Sequence, residues 1–170
     1  MLSGDNSGAE SKMLHAMAGL ESGVLGGVCM LVWLATLSLL QGRSMWSVPN
    51  LLASTFYGEA ALRRGFRWTT LSGVALHVIM TAIAGLLFGL AVSSMANRGR
   101  VMLLGVAAGV AWYYLNLGVF WKYVNPMVPV YSRGGGMFLA HVWLGFFLGS
   151  FPKYLRALKA PAVHSAEPGD

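Results

Sequence analysis

Carboxylates are scarce in this chain. Asp5, Glu10, Glu21, Glu59, Glu167 and Asp170 are all that 170 residues hold. So few and so scattered, they leave almost nothing from which a paired-carboxylate acid–base site could be built. Cysteine is scarcer still: the lone Cys29 has no intrachain partner, no CxxC exists, and a thiol within an apolar stretch reads as packing. Charged residues of both signs make up 11% of the chain, against roughly 25% in a typical soluble domain. Also missing are a P-loop, a GxGxxG following a strand, an HExxH, and a GxSxG with acid and histidine partners. These absences exclude the common soluble-enzyme chemistries, and the chain reads as non-enzymatic.

What the chain has instead is apolar length. Hydrophobic residues are 56% of it, with a mean hydropathy of +0.60. A bilayer core about 30 Å thick needs roughly 20 helical residues. The stretches at residues 17–40, 69–95 and 101–121 meet that length, and 136–158 meets it once Tyr154, Leu155 and Leu158 extend the run ending at Phe151. The expectation is an all-α four-helix transmembrane bundle, one domain over 14–160, with residues 1–13 and 161–170 polar and disordered. The net charge of +6 collects at helix ends, where membrane proteins place lysine and arginine, so it points to the lipid bilayer as partner and not to nucleic acid. Asp5 and Glu10 before Lys12 match a cleaved signal peptide poorly, so the first helix is expected to stay.

The connections differ in kind. Residues 96–100 form a tight basic turn. Residues 122–135 hold Pro126 and Pro129 and end in glycines that allow a sharp re-entry. The first connection, 42–68, contains Pro49-Asn50, a good helix start, with Leu52, Phe56 and Leu62 near one side and Trp46 and Trp68 bracketing it. It reads as an interfacial helix, lying on the bilayer or capping the bundle, with a re-entrant loop as the alternative. Six basic residues fall on each side of the membrane, so charge alone does not orient the chain. The tight turn and the basic C-terminal segment favour cytoplasmic termini.

Small residues recur every fourth position, hence on one helical face. The stripes are Gly19, Gly23 and Gly27; Gly73, His77, Thr81, Gly85 and Gly89; Gly105 and Gly109 leading to Tyr113; and His141, Gly145 and Gly149. In lipid such stripes let backbones approach closely, so helix packing is the expected role of these glycines. The stripes also repeat. Gly23-Val24-x-x-Gly27-Val28 and His77-Val78 recur as Gly105-Val106-x-x-Gly109-Val110 and His141-Val142, which suggests two parallel pseudo-repeated hairpins.

The histidines are the candidate site, because polar groups inside a membrane are costly. His77 lies ten residues past Arg67, about 15 Å, and His141 eight past Arg133, about 12 Å, at 1.5 Å per helical residue. Asn116, six before Lys122, lies about 9 Å deep on the same side. Depth therefore groups His77, Asn116 and His141, with Tyr113 and Thr81 in support. The leading reading is a structural polar cluster inside an accessory protein that packs as a homo-oligomer or in a larger membrane complex. The alternatives are haem ligation by His77 and His141 in a redox anchor, and a small proton-coupled transporter; lipid or quinone binding is a further option. No metal ligand set is assigned from the sequence. Glu21, between Gly19 and Gly23, is a possible intramembrane charge facing another helix, though an interfacial carboxylate is the simpler expectation.

Through Gly42-Arg43-Ser44-Met45-Trp46 to Leu51-Leu52-Ala53, Leu76-His77, Leu115-Asn116-Leu117 and Ala140-His141-Val142-Trp143-Leu144-Gly145, the chain resembles a loose set of small bacterial inner-membrane proteins of uncharacterised function. These are typically four-helix chains of similar length. The resemblance covers nearly the whole membrane portion on short hydrophobic motifs. It implies a bacterial plasma-membrane location and the His–Asn–His grouping, and supplies no activity.

Overall fold

The computed structural model describes residues 3–92, 97–132 and 134–159. Its helices are α1 (Ser3–Leu40), α2 (Ser47–Tyr57), α3 (Trp68–Ala91), α4 (Arg98–Leu115), α5 (Trp121–Val124), α6 (Met127–Tyr131), α7 (Gly135–Gly149) and α8 (Phe151–Lys159). A π-helical segment, Asn116–Phe120, carries α4 into α5, and a 3-10 turn, Gly58–Leu62, follows α2. No strand occurs among the described residues. Four stretches are long and apolar enough to cross a membrane: Gly8–Leu40, Trp68–Ala91, Arg98–Val124 and Gly135–Lys159. The protein is an all-α, four-helix, multi-pass membrane protein.

Several boundaries move. The first helix already begins at Ser3, so residues 3–13 are helical where disorder was expected. The second closes at Ala91 rather than near Met95, and the third continues to Val124. The fourth is not one rod: it breaks at Ser150, whose N–H is shared by the Phe146 and Phe147 carbonyls at 3.0 Å each. Pro152, lacking an N–H, then sits in the first turn of α8, where that lack costs nothing. The tail 161–170 and Arg133 lie outside the described residues. At the far end of α1, Gly42 adopts φ +68° while Arg43 N–H reaches back to the Ser38 carbonyl at 2.8 Å. That is a left-handed glycine cap, and it turns the chain toward α2.

The glycine stripes set the helix pairing. A Cβ on Gly85 would meet the Gly19 carbonyl and lie 2.7 Å from the Gly23 Cα, so α1 and α3 touch backbone to backbone. Gly23 faces Thr81 and Gly85, four and eight residues past His77. In the second hairpin Gly105 faces Gly145 and Gly149, four and eight past His141. A Cβ on Gly27 would meet the Thr81 side chain, and one on its counterpart Gly109 would lie 2.8 Å from the Gly145 Cα. The two hairpins therefore pack in the same register, which is what duplicated hairpins require.

The repeat stops at the hairpin. Gly26 lets α1 reach Leu144 and Phe147 of α7, closing the bundle on that side. The counterpart of Gly26 in α4 is Ala108, and it borders an open apolar groove of about 490 Å³ between α3 and α4. One side of the bundle is closed and the other is cleft.

Helix α2 caps the bundle from within instead of lying on the bilayer. A Cβ on Gly73 would strike the Pro49 carbonyl, and Pro49 through Ser54 are buried. Leu52 points into the core, whereas Phe56 is 59% exposed, so the expected shared face does not form. Buried Asn50 holds the connection: its Nδ2 donates to the Arg63 and Gly65 carbonyls at 2.9 and 3.0 Å, and its Oδ1 accepts from Thr70 Oγ1 at 2.6 Å. Asn125 ties the other long connection to α2, donating to Ser54 Oγ at 2.9 Å and Thr55 Oγ1 at 3.1 Å.

Candidate functional site

Under the α2 cap, His77 from α3, His141 from α7 and Asn116 from the π-helical segment border one cavity of about 50 Å³, together with Thr81. Shared depth, inferred from spacing, is matched by a shared space. All four residues are buried.

Their side chains do not bond to one another. His77 Nε2–H donates to the Gly27 carbonyl of α1 at 3.0 Å, and His141 Nδ1–H donates to the Met137 carbonyl one turn earlier at 2.9 Å. Each acceptor is a carbonyl, so the ring nitrogen must carry the proton. The two rings are therefore opposite tautomers, leaving lone pairs on His77 Nδ1 and His141 Nε2. Neither of these nitrogens makes a hydrogen bond among the described residues.

Asn116 donates from Nδ2 to its own-helix Trp112 carbonyl at 2.9 Å. Thr81 Oγ1 also turns back to its own helix, to the His77 and Val78 carbonyls at 3.2 and 3.1 Å. Tyr113 does not line the cavity; it packs edge-to-face on His141, with ring centroids 5.3 Å apart. The expected hydrogen-bonded His–Asn–His network is thus replaced by separate groups, each anchored to backbone. The π segment begins at Asn116, where α4 inserts one extra residue per turn; such bulges recur at functional sites.

Glu21 is exposed rather than turned toward another helix, because the stripe through Gly19 and Gly23 faces α3. His15, passed over in the sequence reading, is buried at the opposite end of the bundle, bonded to the Ser11 carbonyl and tilted 5.8 Å from Phe151. Also passed over were Met30, Met80 and Met137 in the cavity wall. Their signal was present: His77-x-x-Met80 and Met137-x-x-x-His141 are spacings that share a helical face.

Haem does not fit. About 50 Å³ admits water-sized groups and not a porphyrin, and the His77 Nε2 is already engaged by Gly27. No three described His, Cys, Asp or Glu side chains gather as a metal set.

The cavity has an approach. A polar vestibule of about 470 Å³, with Ser38, Gln41, Arg43, Ser47, Tyr131 and Ser132 in its wall, lies at the long-connection end of the bundle. Leu34, Val48, Ser132 and Met137 line both spaces, so the vestibule and the cavity adjoin across these side chains. The buried Ser38 hydroxyl has no protein partner among the described residues. Arg43 bonds to Gln41 in the vestibule wall.

The chain matches no family model, no curated protein and no solved structure. Function must be argued from the cavity itself.

Proposed function

We propose that this chain is a bacterial plasma-membrane protein that admits a small solute or ion from its long-connection end and holds it in the central cavity. The adjacency of vestibule and cavity, which share Leu34, Val48, Ser132 and Met137 in their walls, carries this reading. Polar side chains at membrane depth characteristically face a water-filled space that serves a pathway. The partnerless Ser38 hydroxyl beside the vestibule supports a wetted entrance. Location rests on the resemblance. Cytoplasmic termini, with the vestibule opening outward, rest on Arg98 and Arg100, which form the Asn97-capped first turn of α4 rather than the expected 96–100 turn, and on α8, which brings Lys153, Arg156 and Lys159 to the terminal end.

A thiol at Ser132 tests the entrance. In a Cys29→Ser background, Ser132→Cys is expected to react with a membrane-impermeant maleimide added outside intact cells. No labelling from either face overturns the open vestibule. Labelling only from the cytoplasmic face reverses the orientation.

The accessory role has its own support in the groove between α3 and α4, walled by Ala84, Ala91, Ala108 and Ala111. Small residues on a lipid-facing groove suit a partner helix, in an oligomer or a larger membrane complex. Strictly monomeric behaviour in mild detergent, with nothing co-purifying, counts against it.

A further inference from the structure

Resting on the solute-binding reading, we propose that the cavity is a site for a soft monovalent metal ion, Cu(I), with His77, His141 and the thioethers of Met30, Met80 and Met137 as its donors.

Three observations converge. The first is donor chemistry. The cavity wall contains two histidines and three methionines and no carboxylate; its oxygen-bearing side chains, Thr81, Asn116 and Ser132, are neutral. Thioether sulfur selects Cu(I), imidazole suits copper, and neither set recruits calcium or magnesium, which want oxygen. The second is preparation of the histidines. Ligating histidines characteristically donate their other N–H to a carbonyl or carboxylate, which fixes ring and tautomer. Both rings here do so, to Gly27 and Met137, and each retains one uncommitted lone pair. The third is size: about 50 Å³ accommodates a bare ion or a few waters, not an organic cofactor.

The sequence places these donors together by rule. Met80 follows His77 by three residues and Met137 precedes His141 by four, so each pair shares a helical face. Met30 follows Gly27 by three, and Gly27 supplies the carbonyl that orients His77. Three helices thus deliver one thioether each at the level of the histidines. Methionine as plain gap-filler is the competing explanation, and it predicts no dependence of any ligand on sulfur.

The test uses the full chain in detergent or bilayers, with Cys29→Ser removing the lone thiol. Cu(I), held reduced, is titrated against a chromophoric Cu(I) chelator of known affinity. One tightly held ion per chain is expected, with Zn(II) failing to displace it. The triple variant Met30→Leu, Met80→Leu, Met137→Leu keeps side-chain volume and therefore the fold. It is expected to weaken binding by at least the roughly 10–100-fold that losing even an outer partner of a metal ligand costs. No retained copper, equal retention by the triple variant, or equally tight Zn(II) overturns the proposal. If Ser132→Cys still labels from outside while copper is not held, the solute-binding reading stands and this assignment of its ligand falls. If labelling fails as well, both fall.

Discussion

Gly85→Leu is expected to abolish the assembled bundle. The new side chain would have to occupy space filled by the Gly19 carbonyl and the Gly23 backbone, neither of which can rotate away. Overpacking against side chains costs about 1–3 kcal/mol. Here the obstacle is main chain on a 38-residue helix, so α1 and α3 must separate. The loss then extends to everything their contact supports, including the Gly27 carbonyl that orients His77. Since whole-protein stability is of order 5–15 kcal/mol, loss of one hairpin interface is enough to unfold it. Size-exclusion profiles and resistance to denaturing detergent measure the outcome. Gly118→Leu is the control, because a Cβ added there meets nothing within 4 Å and the position is exposed. Equal behaviour of the two variants would refute the backbone-contact account of the stripes.

The second large effect separates binding from folding. The double variant His77→Leu, His141→Leu is expected to lose ligand binding by at least about 100-fold while unfolding within about 1 kcal/mol of wild type. The reason lies in what each ring touches. The Met137 carbonyl is the ordinary i−4 acceptor for the backbone of residue 141, and the Gly27 carbonyl lies within the unbroken helix α1. Removing either imidazole therefore orphans no carbonyl. A structural polar core predicts the opposite, a cost of about 1–3 kcal/mol for each partner left unsatisfied. Reversible unfolding, measured alongside Cu(I) competition, distinguishes the two.

Much of this was legible in the residues. Apolar run length identified four spans, and four-residue periodicity identified the faces that meet: Gly23 with Gly85, Gly105 with Gly145. The repeated dipeptides and glycine patterns correspond to a shared register within each hairpin. What periodicity does not encode is how one hairpin sits against the other. That depends on single small differences, such as Gly26 against Ala108, and those leave the bundle cleft between α3 and α4. Depth counting placed His77, Asn116 and His141 on one level, and they border one cavity. It did not give their partners, because backbone carbonyls have no signature in a sequence. The roles of Asn50 and Asn125 were invisible because their acceptors lie 13 to 71 residues away along the chain. The methionines were readable but were counted as apolar mass. Only their position beside uncommitted imidazole nitrogens separates them from the core.

Solid-state ¹⁵N spectra of the histidine rings, recorded in lipid bilayers with single-site assignment, test the central claim most directly. The geometry predicts His77 protonated on Nε2 and His141 on Nδ1, with the unprotonated nitrogen of each shifting when Ag(I), a redox-inert stand-in for Cu(I), is added. Identical tautomers, or unprotonated nitrogens indifferent to Ag(I), would contradict it.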